Sequence, residues 1–489
     1  MKYVGITIGP IFKTIRKAIS PVGLWYASTF FSEVTRQFCE SLIEEYGDEA
    51  EIFSPYFETN ELQRNGIGTF HDRILFSISD TTKDQLESLI SQTKKKMEKY
   101  ISVSSEEKRI FLEHYLHLDY VIFDEETLLG KSLVEELNWA LDAIELMRAS
   151  KNSVNTNLFD TIFIGRKNDR NYYLRDNPLL PSQDNFLQKE GRFIAIEDIA
   201  RDTTETEHFP YFAVISSDGD RMGAFLASMC QDQEGNYLPL AEQVKKIRNF
   251  SKLCQEYTSK AATDINQHGG MTIYAGGDDL LFLAPVAMIP TFSNELHSAF
   301  KKIFQLEQMD KSQSDISLGV AIRYEKFPLY ETLAEAQQQL QKAKQAGGGQ
   351  VALSISKHSG QSLSISFNHL IFQKLFEMME ELGTKEEQLQ SLLYSIESQA
   401  VLFELLFGQA QLNQLSLAEF QEKFANQFAH IHQASFEQYV EILAELAYIF
   451  YIEDGGRYRI QLKEQENCVQ HFSTILRTIK FFKGGERES

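Results

Sequence analysis

Between Met271 and Leu283 two apolar runs, Met-Thr-Ile-Tyr and Leu-Leu-Phe-Leu, flank the pentapeptide Ala-Gly-Gly-Asp-Asp. Runs this short, rich in β-branched and aromatic residues, read as strands at Met271 to Tyr274 and Leu280 to Ala284. Gly276 and Gly277 supply turn conformations that other residues resist, so the segment is a tight hairpin with Asp278 and Asp279 at its tip. Adjacent carboxylates beside buried strands repel each other unless a cation neutralises them, and such pairs suit Mg²⁺ bound to phosphates. The competing reading is an ordinary acidic turn, although Asn-Gly or Asp-Gly is the usual turn chemistry.

A second acidic segment shifts the balance. Phe212-Ala-Val-Ile-Ser-Ser-Asp-Gly-Asp-Arg-Met-Gly223 places Asp218 and Asp220 just after a hydrophobic strand. In a β-α-β-β unit the end of the first strand neighbours the hairpin tip, so a carboxylate at that strand end and one or two on the hairpin can jointly hold two metal ions, Mg²⁺ or Mn²⁺. Gly219 and Gly223 let backbone amides approach a triphosphate.

The surrounding pattern is α+β. The 489 residues suffice for roughly three or four folding units. Val4, Ile6 and Ile8 alternate with Gly5 and Thr7 as a strand, and Leu24 to Tyr46 reads as a helix. Strands at Ala50 to Phe53 and Arg73 to Ser79 and a helix from Lys83 follow, giving a ferredoxin-like half over 1–104. Residues 105–208 read as a middle domain, helical to Ala149 and irregular from 150 to 208. The second α+β unit, 209–362, runs through helices at Leu240 to Gln267, Asn294 to Gln305 and Leu329 to Gln345. Its further strands are Ile316 to Ile322 and Gln350 to Ile355. Beyond it 363–489 reads as a helical bundle, with capping boxes at Thr384/Glu387 and Ser416/Glu419.

Composition narrows the function classes. A net charge of -21 opposes binding nucleic acid through a broad basic surface, so other subunits would hold any RNA partner. Cys39, Cys230, Cys254 and Cys468 form no CxxC pair, which argues against a zinc ribbon or a disulfide framework and for a reducing, cytoplasmic setting. The apolar stretch Tyr3 to Phe12 lacks a cleavage site, and Leu280 to Pro290 is too short to cross a bilayer, so no membrane is expected. Lys94-Lys95-Lys96 and Lys301-Lys302 read as solvated helix faces.

Three stretches carry a family resemblance: Ser217-Asp-Gly-Asp-Arg-Met-Gly223, Tyr274-Ala-Gly-Gly-Asp-Asp-Leu280, and Leu318-Gly-Val-Ala-Ile322 with Pro328, Leu329, Ala336, Ala343, Lys344 and Gly347. Together with Ile8-Gly9-Pro10, Leu24-Trp25-Tyr26-Ala27-Ser28 and Ser32, they resemble the large polymerase/cyclase subunit of type III CRISPR effector complexes, of the Cmr kind. The resemblance spans 1–360 by segments. It implies two palms packed face to face, ATP between them, and second messengers made when target RNA is captured by a complex carrying guide RNA and other subunits. By it Asp218, Asp278 and Asp279 are the metal ligands and catalytic residues. Asp220 orients the loop or supports the metal ligands from behind, and counts among the nucleotide-binding residues; Lys344 resembles a phosphate-contacting lysine of related GGDEF-type cyclases, and Gly276, Gly277 and Ser217 are further nucleotide contacts.

Departures from the family pattern are equally informative. The chain opens directly on the first palm, without the HD-type nuclease domain of many members, and His71-Asp72 has no partner histidines in the sequence. The family's zinc-binding cysteines are absent from the middle region. The first palm has Thr7-Ile8-Gly9-Pro10 where the second has Ser217-Asp-Gly-Asp220, so it lacks acidic ligands; Gly9, Pro10 and Asp72 are its acceptor-side candidates. Ile19-Ser-Pro-Val-Gly23 replaces the usual basic stretch before the Leu-Trp pair, which removes cationic partners for a second triphosphate.

The resulting expectation is adenylyl transfer from ATP to give cyclic oligoadenylate. Three alternatives stay open: joining AMP to S-adenosylmethionine, the acceptor an acidic Asp72 would favour; a stand-alone GGDEF-like cyclase using GTP; and a non-enzymatic scaffold of the ribonucleoprotein.

Overall fold

Alternating small and branched residues give the expected opening strand, β1 (Lys2–Gly9), buried over all but its first residue. The structure is a computed structural model. It describes residues 1–16, 18–58, 66–101, 104–149, 177–180, 187–189, 192–201, 209–304, 314–381, 386–428, 434–453, 460, 462 and 467–483. Pro21 in the first turn and Ser20, whose hydroxyl accepts from the Gly23 N–H, start the helix Pro21–Tyr46. Every side chain from Pro21 to Cys39 is buried, the mark of a helix enclosed on all sides.

Strands β2 (Ala50–Ser54) and β3 (Arg73–Ile78), the helix Lys83–Met97 with its Thr82/Gln85 capping box, and β4 (His117–Asp124) complete the first sheet. Its order is β2-β3-β1-β4 with all neighbours antiparallel. β4 adds a strand to 105–149, which is otherwise mostly helical as expected, and carries the first sheet past the boundary expected at 104. A short helix, Ser105–Ile110, does start at the Ser104/Glu107 capping box, and Leu133–Ala149 is a helix, but a strand separates them. β4 lies at the sheet edge with mostly half-buried residues, so the alternation that marks a strand is weak in it. Of 150–208 the described part includes a short hairpin of β5 (Gln188–Lys189) and β6 (Arg192–Phe193) and the helix Ile196–Ala200.

The second sheet comprises β7 (Tyr211–Asp220), β8 (Met271–Gly276), β9 (Asp279–Pro285), β10 (Asp315–Tyr324), β11 (Gln350–Ser356) and β12 (Ser362–Asn368). Its order is β12-β11-β10-β7-β9-β8. The segment β8-β9-β7-β10 repeats the first sheet's β2-β3-β1-β4. The helices Leu240–Gln267 and Ile289–Ile303 connect its strands as the first sheet's helices do, and Leu329–Gln345 crosses from β10 to the parallel β11. One sheet face packs on its own helices and on the C-terminal region. The other, with Phe212, Val214, Met271, Ile273, Leu281 and Leu283, joins the core built around Pro21–Tyr46. Burial between two sheets is why that helix has no exposed face over Pro21–Cys39, and its polar residues Glu33, Arg36 and Gln37 bond to one another and to Glu40.

Beyond β12 the described elements are the helices His369–Glu381, Glu386–Ser398, Ala400–Leu412, Leu417–Asn426, Ala434–Tyr451 and Cys468–Phe482. The chain is thus mixed α+β with a helical C-terminal region. The Ser416/Glu419 capping box is formed; Thr384 lies outside the described residues.

Gly319 on β10 sets the position of the helix Leu329–Gln345. A Cβ there would lie 2.2 Å from both the Ala336 carbonyl oxygen and the Leu340 nitrogen. That backbone contact holds the helix, and Lys344 at its end, against the strand. Gly319→Ala is therefore expected to destabilise the protein by about 1–3 kcal/mol, read as a lower urea midpoint at unchanged m-value.

Candidate active site

The site is assembled where β7 ends beside the β8–β9 hairpin. β7 runs farther than the sequence predicts, through Asp220, so Asp218 is fixed by strand pairing opposite Ser317. A bulge between Thr272 and Tyr274 shifts the pairing of β8 with β9. Gly276 then pairs with Asp279, leaving Gly277 and Asp278 as the turn. Gly277 has φ +68, the left-handed first turn position of a II′-type hairpin. Gly276 is required for another reason: a Cβ there would lie 2.6 Å from the Tyr274 hydroxyl, whose ring leans along the strand toward the tip.

This geometry brings together the expected carboxylates. Oxygens of Asp218, Asp278 and Asp279 lie within 4.8 Å of one another. Removal from solvent, and then the neighbouring Asp218, push Asp278 up to about 7. Asp279, at the outer edge, is raised as well, by loss of solvent first and then by Asp218 and Asp278. Lys344 reaches across from its helix to form an ion pair with Asp218, its Nζ also lying 3.5 Å from the Gly219 carbonyl oxygen. An ammonium already drawn among three carboxylates shows that the cluster seeks positive charge, and its hard oxygen donors fit Mg²⁺ or Mn²⁺.

The other expected residues separate into those facing the cluster and those behind it. Gly219 is a cradle for Asp278, since a Cβ would fall 2.6 Å from its Oδ2. Gly223 is exposed in the first turn of the helix Met222–Met229, with nothing within 4 Å of a Cβ. Asp220 is 5% exposed and accepts from the Ser317 hydroxyl at 2.8 and 2.9 Å and from the Gly349 N–H at 2.7 Å. It fastens the loop Gly347–Gly349, whose three glycines all have positive φ, and is turned away from any nucleotide. Ser217 is 1% exposed and therefore out of reach of a phosphate or base.

Strand registers locate the first-half residues. With Thr7–Pro10 laid over Ser217–Asp220, Arg73 pairs with Thr7 as Leu280 pairs with Ser217. His71-Asp72 consequently occupies the place of Asp278-Asp279. Asp72 is bound to β1 through its carbonyl, which accepts from the Ile8 N–H at 2.9 Å. Its carboxyl is pushed up to about 6 by burial, against the pull of Arg73, and acts on Tyr274 across the seam. His71 is held neutral: its Nδ1 accepts from the Arg73 N–H, its Nε2 meets Ser54 Oγ at 3.2 Å, and burial pulls it down to about 4. Gly9 abuts His117, whose Nε2 a Cβ would approach to 2.9 Å, and Pro10 follows it at the strand end.

A second His/Asp group, His297, Asp315 and His369, was not singled out by sequence. Lys301 sits 3.0 Å from Asp315, and both His369 nitrogens are engaged, by Ser293 and by the Ile316 carbonyl. A lysine thus supplies the cation there, and the group buttresses β10. Tyr274, Ser317 and Gly349 were also missed; the run Gly347-Gly-Gly349 after Lys344 was the available signal for the last.

The comparisons with known proteins agree with this geometry. Residues 3–105 match "CRISPR-associated protein Cmr2, N-terminal" and residues 211–352 match "Cas10/Cmr2, second palm domain". The chain belongs to the Cas10/Cmr2 family, the large subunits of type III CRISPR complexes. The CRISPR system Cmr subunit Cmr2 of Pyrococcus furiosus is 24% identical over 201 residues, covering 36% of this chain and 23% of that relative. The match thus spans under a quarter of the relative's length. In fold, the chain resembles a type III-B Cmr-beta structure in the apo state, with TM-score 0.58 and 12% identity over 98% of this chain and 82% of that one. It also resembles a Csm1-Csm4 cassette in complex with pppApA, with TM-score 0.54 and 13% identity over 99% and 69%.

The raised Asp278 has a measurable consequence in this Cas10/Cmr2 chain. Its folded value near 7 exceeds the ordinary 3.8, so the folded state binds the proton more tightly and metal-free stability falls as pH rises from about 4 through 7. In EDTA the thermal midpoint is expected to drop by several degrees between pH 5 and pH 8. Mg²⁺ should restore it at pH 8, and Asp278→Asn should flatten the dependence.

Proposed function

We propose that this chain is a metal-dependent adenylyl transferase that makes a cyclic oligoadenylate from ATP when its complex captures target RNA. The observation that carries this is the convergence of Asp218, Asp278 and Asp279 within 4.8 Å at the seam between two units of like strand order, which we read as two ferredoxin-like palms. Divalent cations held there would neutralise the donor's phosphates and acidify the acceptor hydroxyl. The chain's own contributions are separable. Asp218, Asp278 and Asp279 hold the charge in register through strand pairing, and the absence of a side chain at Gly219 leaves room for the Asp278 carboxylate. Lys344, released from Asp218 when cations enter, pairs with the donor's phosphates. The first palm lacks ligands at Ile8 and Pro10 and presents the acceptor. The hydroxyl attacks the α-phosphorus in line, the bond to pyrophosphate breaks, and the hydroxyl proton leaves to solvent.

The complex assembled with its other subunits, guide RNA and target RNA provides the test. Asp278→Ala with Asp279→Ala should abolish product and pyrophosphate while assembly persists; unchanged pyrophosphate release would refute the site. Lys344→Gln should raise KM for ATP by roughly tenfold, the scale of one charge-assisted contact.

A second reading draws on Asp72, a carboxyl without a salt bridge among the described residues, lying at the place of Asp279 in the other half. A carboxylate on the acceptor side favours a cationic acceptor such as S-adenosylmethionine over a second triphosphate. Mass spectrometry of products formed from ATP with and without that compound separates the two. Asp72→Asn should suppress an S-adenosylmethionine adduct selectively; an oligoadenylate-only product at saturating S-adenosylmethionine would dismiss this reading.

A further inference from the structure

Directly behind the three carboxylates, two buried hydroxyls have no hydrogen-bond partner outside their own pair. Ser217 Oγ lies on β7, one residue before Asp218, and is 1% exposed; Tyr257 Oη lies on the helix Leu240–Gln267 and is fully buried. Buried hydroxyls are nearly always bonded, and a pair that can bond only to each other keeps one donor unsatisfied, which asks for a cause. Their surroundings point to one. The two hydroxyls are neighbours, and the charged groups that act on Tyr257 are Asp278 first and then Asp279. Cys254, one turn earlier on the same helix, faces the same two carboxylates. This helix face therefore underlies the hairpin tip.

The ring of Tyr257 is clamped edge-on by Phe300 at 5.2 Å and flanked by Phe304. The hydroxyl is held in place and cannot turn to solvent. A purely structural pair there would be served as well by apolar side chains at both positions, which would leave no donor unsatisfied. Carboxylates that ligate cations are commonly hydrogen-bonded from behind, which fixes their orientation and strengthens metal binding.

We propose that Tyr257, with Ser217 beside it, is a positioning residue that donates a hydrogen bond to the Asp278 carboxylate when a divalent cation draws that carboxylate into its ligating orientation. This rests on the reading of Asp218, Asp278 and Asp279 as the cation site. The pair stands unsatisfied without the cation because Asp278 is then turned toward the strand end at Gly219, where a Cβ would touch its Oδ2.

The test is calorimetric titration of the purified full chain with Mn²⁺ alone, beside thermal unfolding in EDTA. Tyr257→Phe keeps the clamped ring and removes only the donor. It should weaken Mn²⁺ binding by about tenfold while the unfolding midpoint in EDTA stays the same or rises. Ser217→Ala should weaken it in the same direction. Wild-type Mn²⁺ affinity in both variants would overturn the proposal, as would a lowered EDTA midpoint with unchanged affinity, the result of a merely structural role. Asp278→Ala with Asp279→Ala separates the two levels: Mn²⁺ binding that survives this change overturns the cation-site reading itself. Loss there with wild-type affinity in the tyrosine and serine variants defeats only the role given to Tyr257.

Discussion

The structure around the seam is governed by charge repulsion among Asp218, Asp278 and Asp279, held within 4.8 Å by backbone pairing. The backbone cannot part them, since Asp218 lies within a paired strand and Asp279 begins another. The neighbouring features are answers to that constraint. Lys344 brings the opposite charge from 126 residues away, and the close contact at Gly319 keeps its helix near enough to do so. Asp220 is withdrawn from the cluster and neutralised by donors from Ser317 and Gly349, so a fourth carboxylate adjoins the site without joining it.

The two halves solve the same geometric problem in opposite ways. In the second, Ser217, Leu280 and Lys344 surround bare carboxylates. In the first, at matching strand positions, Thr7 and Arg73 are tied to Glu145: the Thr7 hydroxyl donates to it at 2.5 Å, and Arg73 lies 3.2 Å away while also pairing with Asp142. The first half therefore balances its charges with an ion-pair network, and the second is left with excess negative charge. Only the second retains a reason to bind a divalent cation.

Much of this was legible in the residues because it is local. The hairpin announced itself through paired glycines between apolar runs, and Asp218 through its place at a strand end. The helix Leu240–Gln267 matches its expected limits because one apolar stripe runs its whole length. What stayed hidden depends on partners distant in the chain. The binding of Asp220 to Ser317 and Gly349 spans 97 and 129 residues, so its withdrawal from the site left no mark in its own segment. Asp72 could be matched to Asp279 only through the β1–β3 register, because the connection between β2 and β3 is too long to resemble the tight β8–β9 turn. Edge strand β4 was hidden by its weak alternation.

The family-like stretch Leu24 to Ser32 gains a physical meaning from the seam. Trp25 donates its indole N–H to the Gly66 carbonyl, and the Ser32 hydroxyl accepts from the Phe70 N–H. These bonds pin the segment between Gly66 and Phe70 along the helix, and Gly68 packs so tightly on Ser28 that a Cβ would lie 3.1 Å from its hydroxyl. Held there, the Gly68 carbonyl accepts from the Ala275 N–H, extending the second sheet beyond β8 by one bridge from the first half. An edge strand otherwise offers unpaired backbone groups and frays most easily. Here the edge strand is the one that carries the Gly-Gly-Asp-Asp tip, so the helix of the first half braces the carboxylates of the second. A half that has lost its own ligands still contributes to the site by fixing where the other half's ligands stand.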